Sequence, residues 1–197
     1  MPGLLNEPVN LFSNIAFILA ALLLFRKRAR HPNVSPLVAL VPWLILTVGV
    51  GSTLFHSFAM FWSILADTIP IGVCVLWMFG LLIRKAFQLQ LWAILLAYTL
   101  LLIATLFFVV TVDGHSVNFS QPYFAAVIAI VVIAILSQIQ KIQGRHRLVL
   151  AGLAFVLALI ARMGDAAICP HLAVGSHFAW HIFSACGFYL IADYLFS

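Results

Sequence analysis

Residues 36–56 read PLVALVPWLILTVGVGSTLFH, twenty-one positions without a Lys, Arg, Asp or Glu, closed by Ser52 and His56. A helix needs about 20 apolar residues to cross the hydrocarbon core of a bilayer. Pro36 suits a first helical turn, where its missing amide hydrogen costs nothing. The stretch therefore predicts a membrane-spanning helix over Pro36–His56. Ser52 and His56 are four apart, so a hydroxyl and an imidazole share one face at the end of that helix.

The rest of the chain follows the same pattern. Of its 197 residues 65% are hydrophobic and 8% charged, and the mean hydropathy is +1.18. A soluble domain carries about 25% charged residues, so this chain has too little polar surface to cover a water-soluble globule. Six further stretches are long and apolar enough to span: Pro8–Phe25, Phe61–Ile83, Leu89–Val112, Pro122–Ile139, Leu148–Ala167 and Gly175–Phe196. Pro8 and Pro122 also open their segments, whereas Pro70 lies inside one and predicts a bend. The expected fold is an all-α membrane protein, a seven-transmembrane-helix bundle that fills residues 1–197 as a single domain. The start, MPGLLNEPVN, has no basic stretch ahead of its apolar run, so a cleaved signal peptide is not expected.

Charge gives the expected direction. RKRAR (Arg26–Arg30), Arg84 with Lys85, and Lys141 with Arg145 and Arg147 fall in loops on one side. The opposite loops, around Ser57–Met60, Asp113–Ser120 and Cys169–Val174, contain no Lys or Arg. The positive-inside rule then puts the N-terminus outside and the C-terminus in the cytoplasm. The net charge of +5 is a topology signal on this reading, and the basic loops are too short and dispersed for a nucleic-acid partner. Cys74, Cys169 and Cys186 fit neither a disulfide framework nor a CxxC metal motif; Cys74 and Cys186 read as packing residues.

Against this apolar background His56, Asp67, His177 and His181 stand out. An ionisable group at the bilayer centre costs about 2.5–3.5 kcal/mol on insertion scales, so such groups face a protein interior and serve a purpose there. With the direction above, all four lie in the outer third of the membrane. His177 and His181, in HFAWH, share a face as Ser52 and His56 do. Two imidazoles from one helix and a third from another make a three-histidine set with an open fourth position, the mark of a catalytic zinc site. His115 and His171, taken singly, read as packing residues. Arg162 and Asp165, three apart, are expected to form a buried ion pair, and Asp193 to be solvated at the cytoplasmic end of the last span.

The segments S52-TLF-H56, D67 and H177-FAW-H181 resemble the alkaline ceramidase family, part of a wider group of seven-span membrane hydrolases that includes the adiponectin receptors. E7-PV-N10-LF-S13-N14 resembles the family's first span, and R162-MG-D165-AAI-C169 resembles the segment ahead of its final Trp-His pair, here Trp180 and His181. The resemblance implies a Zn2+ ion held by His56, His177 and His181, with Asp67 as general base for the attacking water. It implies that Ser52 steadies the substrate carbonyl or its oxyanion. The implied reaction cleaves the amide of ceramide or a related N-acyl lipid, releasing a fatty acid and an amino lipid, with the active site toward the non-cytoplasmic side. The chain departs from the family in one respect. Eukaryotic members carry an acidic, Trp-containing segment before the first span that helps hold calcium, and only six residues precede Glu7 here. A full calcium shell of six to eight oxygens is not expected, and Glu7, Asn10 and Asn14 are expected to tie the first span to its neighbours.

The rival readings are a retinal protein and a seven-transmembrane zinc-binding receptor or transporter without hydrolytic turnover. A retinal Schiff base needs a lysine within a span, and Lys27, Lys85 and Lys141 all fall in loops. A transporter needs ligands at several depths, whereas these cluster at one. Lipid esters fit the same residues as N-acyl lipids do.

Overall fold

The computed structural model describes residues 7–197. Residues 1–6 lie outside the described part, and with them most of the segment on which the signal-peptide and calcium-leader expectations rest. All regular structure among the described residues is helical: α1 (Pro8–Ser13), α2 (Ile15–Arg30), α3 (Pro36–Ala39), α4 (Val41–Phe58), α5 (Phe61–Phe87), α6 (Leu91–Thr111), α7 (Gln121–Ile139), α8 (Arg145–Ile168) and α9 (His177–Phe196), with a short 3-10 turn at His115–Val117. Among the described residues six units are long and apolar enough to cross a membrane: α1 with α2, α3 with α4, and α5 to α8 singly. The chain is an all-α integral membrane protein. The expected seventh span, Gly175–Phe196, corresponds to α9. Its 20 residues reach about 30 Å, but His177, His181 and Asp193 interrupt its apolar character.

The helices differ from the expected spans where local chemistry intervenes. The first is broken at Asn14, and its second part runs on to Arg30, past the expected end at Phe25. Long Lys and Arg side chains keep their heads in water while their stems cover apolar surface, so a helix need not stop where charge begins. The third likewise continues beyond Ile83 to Phe87, and Gln88 closes it in the left-handed region (φ 55°). Pro42 splits the second span into α3 and α4 at Leu40, because a proline inside a helix removes one rung of hydrogen bonding.

α9 is the central helix. It packs most extensively on α8 and also meets α1, α2, α4 and α5. Eleven of its residues are buried, against two in α6, so α9 is the helix able to carry polar groups away from lipid. α6 shows the opposite character, with Leu91 and Val110 exposed on the outer surface as lipid-facing groups.

Gly51 sets the contact between α4 and α5. A Cβ there would collide with the Ala66 carbonyl oxygen and come within 3.4 Å of the Asp67 Cα. Ala66 is four residues before Pro70, which has no amide hydrogen to give its carbonyl. The Gly51 backbone occupies that freed space, and the approach brings Asp67 beside Ser52.

At the other end of the bundle the bases of three helices gather on the last turn of α9. Asp193 pairs with Lys27 and with Arg147, the latter at 2.8 Å. Lys85 donates to the Tyr194 and Leu195 carbonyls at 2.9 and 3.1 Å, where unsatisfied helix carbonyls favour a cation. Asp193 is therefore a partly buried ion-pair residue, contrary to the solvated role expected for it. Cys74 is buried as expected, while Cys186 is exposed.

Candidate metal centre

The three histidines converge from two helices. His56 ends α4, while His177 and His181 occupy the first turns of α9, and one ligand atom from each lies within 4.8 Å of the others. The His56 and His181 rings are 5.0 Å apart, and the His177 ring is 5.2 and 4.8 Å from them. His56 and His181 are buried and His177 is half-buried. The triad could hold a metal ion.

The tautomers follow from the partners. His56 Nδ1 lies 2.8 Å from Glu7 Oε2, and an ionised carboxylate only accepts, so this nitrogen donates. The bond keeps the Glu7 carboxyl at about 2, below its ordinary 4.5, with Asn10 helping and partial burial opposing. His181 Nδ1 lies 2.7 Å from Ser13 Oγ. The Ser13 hydrogen is already given to the Asn10 carbonyl at 2.8 Å, so Ser13 accepts and His181 Nδ1 donates. Both rings then present bare Nε2 lone pairs, and these two atoms stand 3.3 Å apart. Facing lone pairs at that separation repel unless a Lewis acid or a proton lies between them. Nitrogens at 2.0–2.1 Å from a tetrahedral zinc are about 3.3–3.4 Å apart, so this pair fits such an ion. The outer bonds to Glu7 and Ser13 are of the kind that fix ligand tautomer and raise ligand basicity.

His177 is placed from α8. Asp165 Oδ1 accepts from the backbone amides of Ser176 and His177 at 2.6 and 2.9 Å, and Ser176 Oγ donates to the Ala161 carbonyl at 2.6 Å. A carboxylate at a helix N-terminus satisfies orphan amides and complements the dipole. That role replaces the expected ion pair with Arg162, since the helix start offers Asp165 two donors. Arg162 instead lies over the Tyr123 and Trp180 rings at 5.1 and 5.4 Å, a cation–π arrangement.

Ser52 Oγ is 3.5 Å from His181 Nε2. Asp67 lies beside Ser52, its Cα being 3.4 Å from where a Cβ on Gly51 would stand. Its Oδ1 is buried without a hydrogen-bond partner among the described residues. Of the five residues singled out in the sequence, the three histidines form one cluster, with Ser52 and Asp67 at its side. Glu7 ties the first span to α4 through His56, as expected. Asn10 and Asn14 instead bond within their own segment, Asn10 donating to the Glu7 carboxylate and Asn14 to the Asn10 carbonyl.

The sequence reading missed Ser13 and Gly51 and misassigned Asp165. Ser13 stood within the quoted EPVNLFSN segment, but its partner is 168 positions away. Gly51 precedes Ser52 directly, the one local sign of a close helix approach.

Below the histidines, which do not themselves line it, runs an elongated apolar cavity. Phe17, Tyr123 and Trp180 line its upper part, and Leu82, Ile133 and Ile191 are its farthest lining residues along their helices. Ile71 to Leu82 on α5 and Trp180 to Ile191 on α9 each span eleven residue steps, which is about 16 Å of helix.

No curated protein and no solved structure matches the chain. The family described as Ceramidase matches residues 3–196, nearly the whole chain. A histidine triad at the head of an apolar cavity accords with a lipid hydrolase, and the chain belongs to the ceramidase family.

Proposed function

We propose that the protein is a zinc-dependent amidase of N-acyl lipids, ceramide among them, and that it works within the membrane. The carrying observation is the pair of bare Nε2 atoms of His56 and His181, 3.3 Å apart, each ring fixed from behind by Glu7 or Ser13. His177 completes the ligand set. Three neutral imidazoles suit zinc better than magnesium or calcium, which take oxygen ligands. When bound, zinc supplies Lewis-acid polarisation of a carbonyl and lowers the pKa of water toward about 7.

The chain's own residues then divide the work. Asp67, with an oxygen free of other partners, takes a proton from the attacking water. Ser52 donates to the carbonyl oxygen as negative charge gathers there. The water oxygen adds to the carbonyl carbon, the carbon–nitrogen bond breaks, and the nitrogen leaves with the proton that Asp67 held. The products are a fatty acid and an amino lipid.

The cavity receives the acyl chain. A depth of about 16 Å holds roughly 12 carbons at about 1.3 Å per tetrahedral step. α9 serves as the seventh span. The end where Lys27, Lys85 and Arg147 gather faces the cytoplasm and the histidines face the other side, following the loop charges.

Purified protein is incubated with a panel of N-acyl lipids and lipid esters, with and without a chelator, while metal content and released fatty acid are measured. About one zinc per chain and chelator-sensitive release from amides are expected. Protein without zinc overturns the mechanism. Bound zinc without release from any lipid overturns the activity and leaves a metal-binding receptor.

A further inference from the structure

Most hydroxyls on the helices of this protein behave alike; apart from Ser52, which faces His181, Ser184 departs from the pattern inside the cavity. Thr53, Ser57, Thr68, Thr99, Thr105 and Thr111 each donate to the carbonyl four residues back, and Ser137 donates to the one three back. This is the ordinary way for a helix to satisfy a hydroxyl in an apolar setting. Ser184 on α9 does not follow it. The residue is 3% exposed, it lines the cavity, and its Oγ has no partner among the described residues. An unpaired buried hydroxyl is a destabilising feature, and a ligand that supplies the partner removes the penalty.

Its position says which part of a ligand it meets. Ser184 is three residues below His181, about 4.5 Å further down the cavity. Tyr123 and Trp180, the other lining side chains with hydrogen-bonding atoms, belong to the mouth, where their rings meet at a tilt of 56° with centres 4.9 Å apart. Below Ser184 the α9 lining is Phe188 and Ile191. An acyl chain entering from the histidines therefore passes one polar group, close enough to the carbonyl level for a hydrogen bond of about 2.8 Å to reach a hydroxyl on carbon 2 or 3, and then an apolar wall.

We propose that Ser184 recognises a hydroxyl on the acyl chain close to the scissile carbonyl, so that the preferred substrates are N-acyl lipids with 2- or 3-hydroxylated acyl groups. The assignment rests on the amidase reading above and narrows its substrate class. A site built to hydrogen-bond a substrate hydroxyl discriminates against the analogue lacking it, because its own polar group is then left unpaired.

The test compares kcat/KM on N-acyl lipids identical except for a hydroxyl at carbon 2, at carbon 3, near the far end of the chain, or nowhere. Wild-type protein should favour a 2- or 3-hydroxylated lipid over the plain one by roughly 3–10-fold, the worth of one neutral hydrogen bond. It should disfavour the far-end hydroxyl. Ser184→Ala, checked for unchanged zinc content, should bring the near-carbonyl ratio to about one, and Ser184→Thr should keep it. An equal ratio in wild type and Ser184→Ala, or a wild-type preference for the plain chain, overturns the assignment. Displacement of a fluorescent fatty acid by 3-hydroxytetradecanoate against tetradecanoate reads the same discrimination without turnover. If no lipid is hydrolysed, the amidase reading fails, and the displacement ratio still decides the role of Ser184.

Discussion

Replacing Gly51 by Ala tests whether the α4–α5 contact positions the proposed catalytic groups, Ser52 and Asp67. The new Cβ would strike the Ala66 carbonyl oxygen and lie 2.9 Å from its carbon, where ordinary contacts begin at 3.4 Å. Both atoms are backbone, so no side chain can swing aside and α5 must withdraw by something on the order of 1 Å. Overpacking of this kind costs about 1–3 kcal/mol, or a Tm lower by roughly 2–12 °C in a chain of this size. Asp67 follows Ala66 directly, so it moves away from Ser52 and His56 as α5 retreats. A displacement of about 1 Å at a reacting group costs up to ~100-fold in rate. The assay is kcat with metal content and thermal unfolding in detergent, with Gly72→Ala as control. A Cβ at Gly72 meets nothing within 4 Å, and that change should be neutral or stabilising by about 0.5–1 kcal/mol. Gly51→Ala protein with wild-type kcat and Tm would refute the argument, since the collision is with main chain on both counts.

Ser13→Ala removes the acceptor that orients His181, and zinc affinity measured by chelator competition should fall about 10–100-fold. Asp67→Asn should retain its zinc while kcat falls roughly 100- to 10,000-fold; full turnover in that variant would remove the general-base role. Asp193→Asn breaks the pairs with Lys27 and Arg147. It should lower stability by about 1–2 kcal/mol, since the group is partly solvated, with zinc content unchanged. Ile191→Trp fills the far part of the cavity, and an acyl-length series should show its optimum shifted to shorter chains.

The helical architecture was legible because a bilayer imposes length and apolarity on each segment, and six of the expected spans reappear with altered ends. The ends shifted at Arg30 and Phe87 because apolarity and helicity are different properties. The histidine cluster was legible for a related reason: polar groups are rare in such segments, and i, i+4 spacing marks a shared face. Roles set by distant partners were not legible. Asp165 has Arg162 at helical spacing, yet its carboxylate finds the start of α9 instead, eleven and twelve positions on. Asp193 looked terminal and solvated until α2 and α8 brought Lys27 and Arg147 to it.

The two polar ends of α9 explain each other. A helix of 20 residues bearing two imidazoles and a carboxylate would be poorly tolerated against lipid. At its C-terminal end Asp193 is neutralised by Lys27 and Arg147, while Lys85 caps the last carbonyls. At its N-terminal end Asp165 caps the first amides, and Glu7 and Ser13 take up the Nδ1 hydrogens of His56 and His181. Nearly every polar group along the axis thus has a partner from another helix. Open groups gather where the apolar cavity meets the histidines, namely the facing Nε2 atoms, Asp67 Oδ1 and Ser184 Oγ, and Asn10 Oδ1, Asn14 Oδ1, Gln121 Oε1 and Arg162 Nε are also buried without a partner among the described residues. The open atoms on and beside α9 are the ones that a metal ion and a lipid could engage, which is the arrangement the proposed function requires.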